Sequence, residues 1–159
     1  MKTSLLKKMK ERGLKITPQR IAIIEVLADK VILHPGAKLI HREARKRGGR
    51  LSLSTVYATL NELCRLNLIK MLEFDKMENR YDWNISPHIN LICNSCKKIF
   101  DYSLPAFIDP KEIMKKSRFW ITDTRLEYYG YCQECRKKMS FNQIGFFKNQ
   151  GFQAEGIKC

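Results

Sequence analysis

A chain of 159 residues with 44% apolar content can bury one good core or two small ones, and its sparse Pro and Gly mark it as folded. No stretch reaches the roughly 20 apolar residues of a membrane span, and Lys7, Lys8 and Lys10 interrupt the N-terminus before any signal-length apolar run, so the expected address is cytoplasmic. The formal net charge of +14 is uneven: residues 1–50 carry +10, residues 51–84 carry −1 and residues 85–159 carry +5. Such asymmetry points to a polyanionic partner, against the plainer alternative of a solvated charged face.

The first expected element is a short basic helix over 3–12, broken by Gly13. A second helix starts at Thr17-Pro18, where Thr caps and Pro fills a position whose N–H is unpaired anyway. Ile21, Ile24, Leu27 and Ala28 give it helical periodicity. A third helix begins near Pro35, with Ala37, Ile40, His41 and Ala44 near one face, and ends at Gly48-Gly49. Ser52 caps a fourth, whose apolar stripe is Leu53, Val56, Leu60, Leu63 and Cys64, and Asn67 closes it.

Residues 68–74 read as a strand, 75–79 as a turn and 80–83 as the returning strand. Three helices followed by a hairpin is the order of a winged helix-turn-helix. Its recognition helix would present Ser54, Thr55, Tyr57, Ala58 and Asn61 to the major groove, with Tyr57 reaching a phosphate or a thymine methyl or else packing on the hairpin. Lys15 and Arg20 are further candidate DNA contacts.

Ser86-Pro87 marks a boundary. Beyond it come a strand over 90–93, a tight turn at Asn94-Ser95, a strand over 97–102, a short helix over 110–117 and a long strand over 120–131. The fold class is therefore α+β: a winged-helix domain over 1–84, a hinge at 85–87, an α/β domain over 88–140 and an extension over 141–159.

Six cysteines in a reducing compartment are not expected to pair as disulfides. Cys93/Cys96 and Cys132/Cys135 form two CxxC pairs, enough thiolates for one tetrahedral zinc. All four donors would be sulfur, so the site would be closed and structural. The rival is a redox CxxC, disfavoured because neither pair lies at an obvious strand-to-helix start. Cys64 reads as a small buried hydrophobe, and Cys159 has no assigned role.

The remaining polar candidates, His34, His41, Asp82, His88, Asn90 and Asp101, form no local motif. The chain nonetheless resembles the ferric uptake regulator family, most of all its peroxide-responsive branch. The landmarks are Thr17-Pro18-Gln19-Arg20, His34-Pro35, Leu53-Ser54-Thr55-Val56-Tyr57, Arg80-Tyr81-Asp82, the run from His88 to Cys96, and the run from Tyr129 to Cys135.

The resemblance implies a homodimer on double-stranded operator DNA, with a C-terminal dimerisation domain stabilised by zinc. It also implies a regulatory Fe or Mn site on His34, Asp82, His88, Asn90 and Asp101. The chain departs from the branch at Asn90, where the family has histidine. The amide oxygen is a weaker ligand for Fe²⁺, which implies lower affinity or a changed metal preference.

The expected function is a metal-dependent repressor responding to peroxide, not an enzyme, with no small-molecule substrate beyond that signal. One alternative is an iron-, zinc- or other metal-responsive repressor of the same family. Another, from a different class, is a zinc-ribbon structural or RNA-binding protein that makes no use of His34 and His88.

Overall fold

The computed structural model describes residues 2–30, 34–47, 50–74, 77–103 and 109–139. The helix end expected at Gly48-Gly49, part of the turn over 75–79, the extension over 141–159 and Cys159 lie outside them. Among the described residues no helix is long and apolar enough to cross a membrane.

Four helices open the chain: α1 (Lys2–Glu11), α2 (Pro18–Asp29), α3 (Ala37–Lys46) and α4 (Leu53–Arg65). Their starts follow cap chemistry. Thr17 Oγ1 accepts from the Arg20 N–H and Ser52 Oγ from the Thr55 N–H, each satisfying a donor that the first helical turn leaves unpaired. Gly36 caps α3 without a side chain. Glu78 reaches across from the hairpin instead, and its carboxylate accepts from the Lys38 N–H at 2.7 Å. A Cβ at Gly36 would stand 2.6 Å from that carboxylate, so a larger residue there would push the Glu78 side chain aside.

Leu5, Met9, Ile23, Ile24, Leu27, Ile40, Val56, Leu60 and Leu63 pack into one core with Leu68, Ile69 and Tyr81. The basic helix α1 is thus amphipathic and belongs to this core. Strands β1 (Lys70–Leu72) and β2 (Arg80–Asp82) form the antiparallel wing, with Met71 opposite Tyr81.

A three-stranded sheet follows, in the order β4-β3-β5, from β3 (Ile89–Cys93), β4 (Ile99–Tyr102) and β5 (Glu127–Gly130). β4 pairs antiparallel with β3, and β5 pairs parallel. Helix α5 (Pro110–Ser117) lies between β4 and β5, and α6 (Gln133–Lys137) follows β5. Leu72 of the wing packs with Ile92 and Ile99 in a second small core, which joins the helical part to the sheet.

Two expectations need correction. The long strand over 120–131 shortens to Glu127–Gly130. A strand needs a partner, and β3 offers one only from Asn90 (opposite Glu127) to Cys93 (opposite Gly130). Arg118, in the left-handed region at φ 57°, also turns the chain out of α5, and Trp120 is 83% exposed. The other correction is α6, a helix of 5 residues, too short to show helical periodicity in the sequence. Its signals were present: Cys132 at the N-cap, Glu134 in the first turn, and Arg136 and Lys137 in the last.

Candidate metal centres

The sheet register decides which side chains face the helical part. Asn90 lies opposite Asp101, and Ile92 opposite Ile99. These residues share one face, because directly opposed residues of an antiparallel pair project together. Leu91, opposite Phe100, takes the other face, where Phe100 is 44% and Tyr128 61% exposed.

His34 is brought to the inner face by the backbone. The Tyr81 N–H donates to the Pro35 carbonyl at 3.1 Å, and Gly36 bridges to Arg80. The loop before α3 thereby adds to the wing beside Asp82. His34 itself adopts φ 42°, a region that a non-glycine residue occupies at a cost and that often marks functional positions.

His34 Nε2 stands 2.8 Å from Asp101 Oδ1 and 3.9 Å from Asp82 Oδ1. His88 Nε2 stands 3.1 Å from Asp82 Oδ2 and 3.9 Å from Asp101 Oδ1. His34 and Asp82 are each 1% exposed, and His88 7%. His34, Asp82 and Asp101 each direct one donor atom into a common volume less than 4.8 Å across.

These short distances are not ordinary hydrogen bonds. His34 Nε2, His88 Nε2, Asp82 Oδ2 and the amide oxygen of Asn90 are all buried and find no hydrogen-bond partner among the described residues. Each buried group left so costs about 1–3 kcal/mol. His88 Nδ1 lies 2.7 Å from the Ser86 carbonyl and donates its proton there, which leaves Nε2 as the ring atom available to a metal. Metal binding requires deprotonated ligands, and in that form two imidazoles and two carboxylates carry a charge of −2, which a divalent ion neutralises. The donor set of nitrogen and oxygen suits Fe²⁺ or Mn²⁺.

Burial sets the electrostatics of Asp82. Desolvation pushes its pKa up, against the opposing pull of the Asn84 N–H, His34 and His88, while Asp101 adds to the rise. The Asn84 N–H donates to Asp82 Oδ1 at 2.7 Å, which leaves Oδ2 as the free donor atom.

The second cluster joins Cys93, Cys96, Cys132 and Cys135, with no disulfide among them. Cys93 ends β3 beside Gly130. The chain then folds into a knuckle in which Lys97 takes φ 58° and its N–H donates to the Cys93 carbonyl at 2.9 Å. The Asn94 N–H donates to the Gly130 carbonyl at 2.7 Å, fixing the knuckle against β5. Cys96 Sγ and Cys132 Sγ are 3.7 Å apart. Zinc–sulfur bonds of about 2.3 Å at tetrahedral angles give sulfur–sulfur edges of about 3.8 Å. The four thiols therefore fit a structural zinc site.

Burial would raise the Cys93 thiol, but the N–H groups of Cys132, Cys96 and Ser95 outweigh it and hold it down at about 6. Cys96 is pushed up to about 11: the Lys98 N–H lowers it, but desolvation and the neighbouring thiols of Cys93, Cys135 and Cys132 prevail. The expectation that neither CxxC pair lies at a strand-to-helix start is overturned. Cys132 does sit at a strand-to-helix start, immediately before α6. Convergence of all four sulfurs is what favours a metal. Cys64 is half-buried against the main core, and desolvation lifts its thiol to about 11, which disfavours the reactive thiolate.

The expected DNA-contacting side chains separate. Ser54, Tyr57, Ala58 and Asn61 are exposed on α4, and Thr55 is half-buried. The Ser54 and Thr55 hydroxyls both lie 2.8 Å from Ser52 Oγ, within the cap. Lys15 is exposed. Arg20 instead pairs with Glu62 of α4 and donates to the Lys15 carbonyl at 2.7 Å, so it braces α2 against α4. His41 belongs to the scaffold, 2.8 Å from the Leu51 carbonyl.

A winged helix joined to a small sheet, with one sulfur cluster and one histidine–carboxylate cluster, defines a metal-binding transcription regulator. The comparisons with known proteins give the particular group. The profile of the ferric uptake regulator family matches residues 11–129, and the chain belongs to that family. It is 36% identical over 134 residues to the peroxide operon regulator of Bacillus subtilis strain 168, covering 84% of this chain and 92% of the relative. The ferric uptake regulator of Helicobacter pylori superposes with a TM-score of 0.69 at 27% identity, over 88% of this chain and 97% of that one. A zinc-bound manganese uptake regulator superposes with a TM-score of 0.60 at 28% identity, over 80% and 98% respectively.

Proposed function

We propose that this protein is a metal-dependent transcriptional repressor that binds double-stranded operator DNA as a homodimer and responds to peroxide through His34, Asp82, His88 and Asp101. The observation that carries this reading is the convergence of buried, unpaired donor atoms from both halves of the chain. His34 and Asp82 come from the winged helix, Asp101 from the sheet and His88 from the segment between them. Simultaneous ligation favours one orientation of the halves by the difference in its affinity for the two states.

A reducing ion held there would supply the electrons that activate peroxide beside two histidine rings. His34 and His88 provide the donor atoms, and oxidation of either ring removes one. The tie between winged helix and sheet then loosens, and DNA is released. The similarity to a peroxide operon regulator supports this reading.

Exposed Tyr57, Ala58 and Asn61 form the side of α4 offered to the major groove, and the basic N-terminal third supplies phosphate attraction. The exposed apolar sheet face, with Leu91, Phe100, Tyr102 and Tyr128, is the dimerisation surface. The four cysteines hold zinc beside that face and fix the sheet edge.

The test is to load the protein with Fe²⁺, add peroxide, and measure operator affinity and peptide mass. The expected result is loss of DNA binding with oxygen incorporated on His34 or His88, and none of this with Mn²⁺. Unchanged affinity and mass would remove peroxide from the reading. A second reading, a repressor responding to metal without peroxide sensing, is favoured by Asn90, whose amide oxygen replaces the imidazole that the resemblance implies.

A further inference from the structure

We infer that Asn90 is the fifth donor of the His34–Asp82–His88–Asp101 site, and that its amide oxygen tilts the site toward Mn²⁺ and away from Fe²⁺. This rests on the proposed metal-binding role of the cluster and specifies which ion that cluster prefers.

Three observations carry it. Asn90 is the direct cross-strand partner of Asp101, so both side chains leave the same face of the sheet. It is 6% exposed on a strand whose other inward residue, Ile92, is apolar and belongs to the second core. Its amide oxygen is buried with no hydrogen-bond partner among the described residues, like the ligand atoms of His34, His88 and Asp82. A buried asparagine that serves only the fold ordinarily uses that oxygen as an acceptor. One that faces a cation leaves it open.

Asn90 also lines a cavity of about 490 Å³ with His88, between the wing residues Ile69–Leu72 and the segment 122–127.

The preference follows from donor chemistry. With Asn90 included, the set is two imidazole nitrogens and three oxygens. Imidazole suits Fe and Zn, whereas carboxylate and carbonyl oxygens suit Mn, Mg and Ca. Affinity rises from Mn²⁺ to Fe²⁺ to Zn²⁺ for a given site, and replacing one nitrogen by a neutral oxygen narrows that rise. The amide adds no charge, so the two carboxylates still balance a divalent ion. A site so composed discriminates less between Mn²⁺ and Fe²⁺ than one with histidine at position 90, and it blunts any response that depends on iron.

The experiment uses the full chain with its zinc in place. Dissociation constants for Mn²⁺ and, under anaerobic conditions, Fe²⁺ are measured for wild type, Asn90→Ala, Asn90→His and His34→Ala, and Co²⁺ absorption spectra are recorded for each. Asn90→Ala is expected to weaken Mn²⁺ by at least the roughly tenfold that loss of a supporting partner costs, and to change the Co²⁺ spectrum. Asn90→His is expected to strengthen Fe²⁺ more than Mn²⁺ and so widen the gap in favour of Fe²⁺. If Asn90→Ala leaves both constants and the spectrum unchanged while His34→Ala abolishes binding, the role of Asn90 is overturned and the site stands. If His34→Ala is also without effect, the site reading itself fails. An equal shift of both metals in Asn90→His would overturn the selectivity while keeping Asn90 as a ligand.

Discussion

His34 Nε2 lies 2.8 Å from Asp101 Oδ1, although His34 precedes the second helix of the winged-helix trio and Asp101 belongs to the sheet. The contact spans the joint between the halves, and neither atom is placed by local sequence. His34→Ala is expected to weaken regulatory metal binding by well over the roughly tenfold of a supporting residue, because a donor atom itself is lost. Zinc content should stay unchanged, since the sulfur cluster is separate. Metal titration alongside elemental analysis checks both halves of this prediction.

Asp82 should show the conflict between stability and binding. Its folded pKa is raised by burial, so the metal-free protein gains from a protonated Asp82 at low pH. That contribution is present below the unfolded pKa and is lost as pH rises through the raised folded value. Metal-free thermal stability is therefore expected to fall across that window, and Asp82→Asn should remove this part of the fall. The same variant should bind the regulatory metal weakly. Melting curves against pH, with and without Mn²⁺, measure both effects.

Cys96→Ser should abolish zinc binding and most dimer formation, because structural zinc contributes folding free energy. Lowering pH should also release zinc from the wild type, as protons compete for thiolates. Loading zinc at neutral pH should release protons, since the Cys96 thiol is held up at about 11 without metal. Elemental analysis and sedimentation report the first effect, and a pH indicator the last. Full zinc stoichiometry in Cys96→Ser would contradict the assignment.

Tyr57, 38% exposed on α4, should lose operator affinity on substitution by Ala while keeping metal content and dimerisation. Gel-shift titration decides between a DNA-contacting and a packing role, and equal affinity would return Tyr57 to packing.

Glu78 reaches from the wing to the N-terminus of α3. Glu78→Ala should cost about 0.5–2 kcal/mol, the range for losing a helix cap. It should also weaken metal binding, because the loop it steadies carries His34. Chemical denaturation and metal titration measure the two effects.

Local signals carried much of this protein. Thr17-Pro18 and Ser52 mark helix starts through short-range hydrogen bonds, and apolar spacing marks the faces that enter the core. The paired CxxC motifs announced the sulfur cluster, because two residues between thiols suffice to aim both at one ion. The histidine–carboxylate set was legible only through family resemblance.

Tertiary structure decided what local sequence does not encode. Strand β5 is confined to Glu127–Gly130, the residues that pair with β3, so β propensity over 120–131 overestimated its length. Arg20, a plausible phosphate contact from its charge, is committed to Glu62 once α2 and α4 pack. The register of β3 against β4 sets Asn90 beside Asp101, and pairing of the Pro35 carbonyl with the wing sets His34 beside Asp82. Sequence by itself determined which donors this chain owns. Only long-range backbone pairing decided which of them meet, because hydrogen bonds between distant strands fix side-chain faces that no local pattern specifies.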